Sequence, residues 1–551
     1  MKPPRLRGRA LIAARTAAET SATAALLAGV LKKSLGLEQL AALAGSLRGA
    51  MPLDMIPLRA KRERPLPDGS LDPAVHKLWP RTVASLSSAL QESRVDPVLL
   101  AERAMQAATS LADNRVLNIL VSDDAERTKR EATAAAERRK AGRSLGPLDG
   151  IPYLVKDEVD VERLATRCGS LCEPGVAKTA DATVVARLRD AGAVFVGKTV
   201  MTEWGMSPLG QNPHFKMPHN AHHAERVPGG SSTGSAVGVA LGVAPLAIGT
   251  DGGGSVRIPA ALNGVFGIKP TSGRVSRHGD PCEGTVVHIG PIGASPADLA
   301  LFLDAVASSP DPNDPLTAHA EPAPKGGFGS RIRSGVKKLR IGVADAEWAD
   351  ADGPVAQAGR QAIAALEKDG AEIVSISMPL ARVAAPIGYL TIGCEALGTH
   401  ADDWAERRHL FGDDLRLSFA VLDGISAKDY LDAQRLRTAL RHEARSILEK
   451  VDLIALPTTQ AVAPELGVGD RGKAFADTAA IDAMCRFCFL GNLTGLPAGT
   501  APIGLDDGLP IGFQLVGDAW DEAIILGALA HLQRIEVARV HKPRAALDLL
   551  G

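Results

Sequence analysis

Two serines and one lysine are the residues of this chain best placed, by type and surroundings, to make and break a covalent bond. Ser231 lies in Gly229-Gly230-Ser231-Ser232, and Ser255 follows 24 residues later in Gly252-Gly253-Gly254-Ser255. Lys156 ends an apolar Tyr-Leu-Val run 75 residues before Ser231. A serine hydroxyl is a weak nucleophile at its free pKa and needs a base within reach. A lysine drawn out of water loses proton affinity, because burial disfavours the charged form, and a partly neutral amine is such a base. Consecutive backbone N–H groups at a tight turn are the donors that an oxyanion needs. From Gly229 to Gly273 there are 12 glycines in 45 residues, against 56 in 551 overall, so the backbone here can approach a ligand closely. Together these groups describe acyl transfer through a serine. One competing reading stays open on spacing alone: Asp157, Glu158 and Asp160 follow Lys156, and any of them could hold it in a salt bridge.

Other motif matches point elsewhere and fail on context. Gly192–Thr199 fits G-x-x-x-x-G-K-[ST], the phosphate-binding loop. Its variable positions are Ala193, Val194, Phe195 and Val196, which read as a buried strand with Lys198 at its end. Nucleotide binding is therefore the disfavoured alternative class. Gly230–Gly234 fits G-x-S-x-G, but a nucleophile elbow follows a hydrophobic strand, and the polar loop His219–Pro228 stands there instead. Cys485-x-x-Cys488 has no second pair, and His214, His219, His222 and His223 have no acidic or cysteine partner at ligand spacing. No metal and no cofactor are expected.

The elements that must position these residues alternate between strand and helix. Strands are expected at Leu117–Val121, Tyr153–Val155, Ala193–Val196, Leu339–Val343, Glu372–Ser375, Leu453–Leu456 and Ile511–Val516. Helices are expected between them, the longest at Val383–Arg407 and Ala427–Lys450, which argues one large α/β domain. Residues 1–70 stand apart from the catalytic domain assigned to 71–551. The first 65 carry 12 Lys/Arg and 4 Asp/Glu, so about +8 of a net charge of −1. Leu11–Gly45 is rich in Ala and Leu and lacks proline, hence helical, and Met51–Pro73 holds five prolines and reads as a linker. Thr20–Leu31 is too short and too polar to span a bilayer. The segment is expected to cap the enzyme, mediate a homodimer or rest on a membrane surface, with a poorly ordered tail as the alternative. A net charge near zero argues against nucleic acid as a partner. Six cysteines in so long a chain read as reduced thiols and a cytoplasmic location, with peripheral membrane contact through the basic segment.

The stretch GGSSTGSAVGVALGVAPLAIGTDGGGSVRIPAALNGVFGIKPT resembles the amidase signature, and GIPYLVKDEVDV resembles that family's lysine segment. LPTT at 456–459, NLTGLPAG at 492–499 and GLPIGFQLVG at 508–517 resemble its later landmarks, so the likeness runs in order from Ser85 to Asp548. It implies one large mixed β-sheet flanked by helices on both sides, and a hydrolase acting on a small-molecule carboxamide. By position it implies Ser255 as the nucleophile, Ser231 as a bridging serine after a cis peptide bond, and Lys156 as the ultimate base. Gly252, Gly253 and Gly254 correspond to the oxyanion hole, with Ser232, Thr250, Asp251 and Arg257 in support. Within the family, GRVSRHG at 273–279 resembles the amidotransferase group that converts glutamyl-tRNA, but that group usually has Gln at Ile258 and often Thr at Gly252. The form DGGGSVRIPAALNG, with PCEGTVVHIGP at 281–291, resembles the plant-type fatty acid amide hydrolases and their bacterial relatives. The implied substrate is an N-acyl amide. Short-chain, aryl, peptide C-terminal and cyclic amides are the alternatives. Met206, with Trp204, and the segment Met484–Leu490 are candidates for lining an acyl channel.

Overall fold

The structure is a computed structural model, and it describes residues 5–45, 47, 56–60, 79–109, 111–112, 115–282, 284–467 and 469–551. Most of the stretch read as a proline-rich linker lies outside the described residues. The sequence expectation of an α/β fold around one large mixed sheet is what the structure has. Eleven strands form it: β1 (Leu120–Ser122), β2 (Pro152–Lys156), β3 (Val194–Thr199), β4 (Leu246–Asp251), β5 (Phe266–Lys269), β6 (His288–Gly293), β7 (Arg340–Val343), β8 (Glu372–Ser375), β9 (Leu453–Pro457), β10 (Ala498–Asp506) and β11 (Leu509–Gly517). Their order across the sheet is β8-β7-β9-β11-β10-β5-β6-β4-β2-β3-β1. β3, β2 and β4 run parallel, as do β8, β7 and β9, and the strands between pair antiparallel. Every residue of β2, β3 and β4 is buried, which is why these strands read as unbroken apolar runs rather than alternating ones.

Three strands lack a clear signature in the sequence for a shared reason. β4, β5 and β6 are Leu-Ala-Ile-Gly-Thr-Asp, Phe-Gly-Ile-Lys and His-Ile-Gly-Pro-Ile-Gly, so each is short and interrupted by glycine. Glycine weakens the local strand signal, and here it serves packing: a Cβ on Gly290 would lie 2.3 Å from the Ile268 carbonyl oxygen of the neighbouring strand. Two spans expected as long helices are broken. The first is α6 (Ala384–Thr399), followed after His400 by a separate turn at Ala401–Glu406. The span Asp477–Leu493 divides into Thr478–Cys485 and Phe489–Thr494.

The N-terminal segment forms α1 (Gly8–Ala18), α2 (Ser21–Ser34) and α3 (Leu37–Gly45). These helices lie on α7 (Asp413–Leu422) and α8 (Ala427–Leu448) rather than standing free. Leu37, Leu40 and Ala44 enter the same apolar cluster as Leu436, Leu440 and Ala444 of α8. Ion pairs tie the remainder down: Glu19 accepts two 2.8 Å bonds from Arg416, Arg15 lies 3.3 Å from Asp413, and Lys32 lies 3.1 Å from Asp429. Helix α8 in turn supports α6, where Gln434 donates to Thr391 at 2.9 Å and Tyr430 donates to Glu395 at 2.9 Å. Among the described residues, Pro379–Thr399 is apolar and long enough to cross a membrane by composition, but Ala384, Ala385, Ile387 and Leu390 are buried in the protein core.

Candidate active site

Parallel strands end on the same edge of a sheet, and ligands gather there. β2 ends in Lys156, and its neighbour β4 ends in Thr250 and Asp251. The chain leaving β4 makes the Gly252–Ser255 turn into α5 (Arg257–Leu262), while the chain entering α4 (Thr233–Ala240) carries Ser231 and Ser232. The two turns are stitched together: Ser232 N donates to the Ser255 carbonyl at 3.2 Å, and Ser232 Oγ donates to the Thr250 carbonyl at 3.1 Å. The Gly230–Ser231 peptide bond is cis.

Lys156 is fully buried, and its Nζ donates to Ser231 Oγ at 2.7 Å and to Thr250 Oγ1. Ser231, Ser255, Thr250, Gly252 and Met206 line one cavity of about 490 Å³, its mouth included. Trp204, Val287, Ile392 and Ala396 give that cavity apolar walls, and Glu395, Thr399 and His400 give it a polar flank. This is the size range of a small-molecule pocket.

Three glycines in a row are required by what surrounds them. A Cβ on Gly252 would meet Ile392 Cδ1 at 2.8 Å, and one on Gly253 would meet the Phe489 ring at 2.6 Å. Gly254 has φ +119° and would drive a Cβ to 2.5 Å from Ile258. The N–H groups of the turn are not equivalent. Gly254 N donates to Asp251 Oδ1 at 2.7 Å, whereas those of Gly252, Gly253 and Ser255 have no acceptor among the described residues. Gly254 therefore leaves the set of oxyanion donors expected from the sequence, because its N–H is committed to holding the turn.

Asp251 and Arg257 hold that turn from behind. Arg257 is wholly buried, and it gives two bonds of 2.9 Å to Asp251, one of 2.6 Å each to Gln514 and Asn492, and one of 3.0 Å to the Cys488 carbonyl. Asp251 also accepts from Val256 N at 3.2 Å and Asn492 Nδ2 at 2.9 Å. Burial alone would raise the Asp251 carboxyl, but the Arg257 guanidinium outweighs it and holds the group well below the usual carboxylate range.

Several sequence candidates fall away from the cavity. Of Met484–Leu490, the Phe489 ring packs behind Gly253 and the Cys488 Cβ behind Gly254, so this segment braces the turn and does not line the acyl channel. Lys198, the lysine of the phosphate-loop match, ends a buried strand 2.9 Å from Asp157 and donates to Thr166 at 2.8 Å. His214, His219 and His222 are engaged with Glu203, the Ala224 carbonyl and the Asn263 carbonyl respectively. Glu158, which the sequence marks only as a possible salt-bridge partner, is a full member of the site. Its Oε2 lies 2.6 Å from Lys156 Nζ and accepts from Thr250 Oγ1 at 2.7 Å. The signal for it is the two-residue spacing from Lys156, which the neighbouring Asp157 and Asp160 obscure.

Residues 102–526 match the Amidase family, and the chain belongs to it. It is an amide-hydrolysing enzyme by family and by structural neighbours. A glutamyl-tRNA(Gln) amidotransferase chain of Chloroflexus aurantiacus is 36% identical over 439 residues, 75% of this chain and 88% of that protein. A fatty acid amide hydrolase of Medicago truncatula is 33% identical over 495 residues, 87% of this chain and 81% of its own. The solved structure of native peptide amidase from Stenotrophomonas maltophilia superposes with a TM-score of 0.72 at 29% identity, covering 86% of this chain and 100% of that one.

Proposed function

We propose that this enzyme hydrolyses a carboxamide through an acyl-enzyme on Ser255, with Ser231 and Lys156 as the proton path. The observation that carries the reading is the 2.7 Å bond from buried Lys156 Nζ to Ser231 Oγ in the cavity that Ser255 also lines. Ser255 Oγ attacks the amide carbon while its proton passes to Ser231, whose own proton passes to neutral Lys156. The carbonyl oxygen takes up negative charge against the N–H groups of Gly252, Gly253 and Ser255. As the C–N bond breaks, the proton returns through Ser231 to the leaving nitrogen, which departs as amine or ammonia. Water then attacks the acyl-Ser255 ester by the same path, releasing the carboxylate.

For the substrate, an N-acyl amide with an apolar acyl group fits walls made by Trp204, Met206, Val287 and Ile392. The Medicago relative, a fatty acid amide hydrolase, supports the same choice. A shorter or more polar amide is the second reading, favoured by Glu395, Thr399 and His400 on the opposite flank. An amidase acting beside a tRNA-charging system is the third, and rests on the Chloroflexus relative. Ser255→Ala is expected to abolish turnover and labelling by a fluorophosphonate, and labelling that persists in this variant moves the nucleophile elsewhere. A panel running from acetamide through anilides and peptide amides to long-chain N-acyl amines ranks the substrate readings by kcat/KM.

A further inference from the structure

The reading of Lys156 as a base, on which this inference rests, leaves one feature unexplained. Glu158 Oε2 stands 2.6 Å from the amine, and both side chains are buried. Burial by itself raises the Glu158 carboxyl, but the Lys156 ammonium and the bonds from Lys156 and Thr250 outweigh that and hold it below its ordinary value. An amine beside an ionised carboxylate keeps its proton more firmly, the opposite of what a base requires. A second carboxyl stands behind the first: Glu158, Asp280 and Cys282 present their ligand atoms within 4.8 Å of one another. Asp280 Oδ1 accepts from Cys282 N at 2.9 Å, and Oδ2 lies 3.7 Å from Arg277 Nε. Burial, and then the Glu158 charge, push Asp280 up to about 7. The other titratable groups facing the pair are the thiols of Cys282 and Cys168, while Asp157 is turned to Lys198.

We propose that Glu158 and Asp280 form a carboxyl pair that sets the proton occupancy of Lys156, Glu158 by direct contact and Asp280 by like-charge coupling through Glu158. Both are positioning residues, acting on the scissile amide only through the lysine. With Glu158 ionised, the amine loses its proton at a higher pH than it would alone. Each further negative charge in this buried cluster displaces the transition in the same direction, because two carboxylates at this spacing resist joint ionisation and both attract the ammonium. The pair thus places the acid limb of the rate profile, and the maximal rate is left to the serines and the oxyanion donors.

The test is the second-order rate of Ser255 labelling by a fluorophosphonate across pH 5–10, with the labelled residue located by peptide mass spectrometry. This needs no knowledge of the natural substrate. Glu158→Gln keeps an acceptor for Lys156 and Thr250 and removes the charge, so its acid limb is expected to move to lower pH by about one to three units. Glu158→Asp should restore the wild-type position, and Asp280→Asn should shift the limb the same way by less. An even loss of rate at every pH in Glu158→Gln, with the limb unmoved, overturns the proposal and leaves Glu158 a packing residue. If Glu158→Gln fails to fold, an unshifted limb in Asp280→Asn overturns it equally. Lys156→Met separates the two levels: wild-type labelling in that variant refutes the lysine base itself, whereas a dead Lys156→Met with an unmoved Glu158→Gln limb refutes the carboxyl pair alone.

Discussion

Replacing Arg257 by Met tests what holds the oxyanion turn in place. The guanidinium makes five hydrogen bonds to Asp251, Gln514, Asn492 and the Cys488 carbonyl, all of them buried. Removing it strands the Asp251 carboxylate with only N–H donors and leaves the oxygens of Gln514 and Cys488 short of a partner. Breaking a buried pair in this way costs about 3–5 kcal/mol, because the surviving charge keeps its desolvation penalty. The variant is therefore expected to lose that much in urea denaturation, and to lose turnover per folded molecule as Gly254 N and Val256 N are released. Adding Asp251→Asn removes the stranded charge, so the double variant should be more stable than Arg257→Met alone. The pH dependence has a definite sign. A carboxyl depressed in the folded state contributes stability that is present above its unfolded value near 3.8 and is lost as pH falls towards the folded one. The wild type should show no loss from this pair between pH 7 and 5 and a steep one below pH 4, which Arg257→Met should lack. A loss under about 1 kcal/mol in the single variant, well short of that range, would refute the assignment of Asp251 and Arg257 as the support of the turn.

Gly253→Ala puts a methyl 2.6 Å from the Phe489 ring and must displace the turn, so a fall in kcat of about 10²–10³-fold is expected. Gly253→Ala combined with Phe489→Leu should recover part of it in the same assay. Asp298 is buried beneath the Val83 amide that donates to it at 2.9 Å, and burial pushes its carboxyl up to about 7. A raised carboxyl costs the folded state stability as pH climbs from the unfolded value to the folded one. Asp298→Asn should therefore stabilise the protein at pH 8 by up to about 4 kcal/mol and not at pH 4, read from melting temperature against pH. Deleting residues 1–45 removes the packing of Leu37, Leu40 and Ala44 on α8, which supports the α6 wall of the cavity. KM should rise more than kcat falls. The removed helices also expose Leu26 and Val30, so gel filtration and liposome flotation before and after deletion will decide between a dimer and a membrane surface as their partner.

The parts of the fold visible in the sequence are those with a one-dimensional signal. Apolar runs such as Tyr153–Val155 and Ala193–Val196 read as buried strands because burial on both faces leaves no polar alternation to interpret. The glycine turn, the two serines and the lysine can be read from residue type and neighbours. β4, β5 and β6 cannot, because glycines needed for close packing erase their strand character. The division of labour within Gly252–Ser255 is also invisible: nothing local distinguishes the N–H of Gly254 from that of Gly253 until Asp251 is folded against one of them. Glu158 is hidden for the converse reason. Asp157, Glu158 and Asp160 look interchangeable as text, and only the geometry of the strand end gives them different partners.

That geometry has a consequence for how the chain can change. Val155 is registered against Lys198 and Lys156 against Thr199, so the two lysines belong to opposite faces of the sheet. Asp157 follows the parity of Val155 and reaches Lys198, and Glu158 follows the parity of Lys156 and reaches the site. Odd and even positions thus act as two separate addresses, one for a structural amine and one for a reactive amine. Inserting or deleting a single residue in Tyr153–Lys156 would swap both addresses at once, sending the wrong carboxylate to each lysine. Length in this segment is constrained as tightly as residue identity, and variation there is expected to substitute side chains without adding or removing positions.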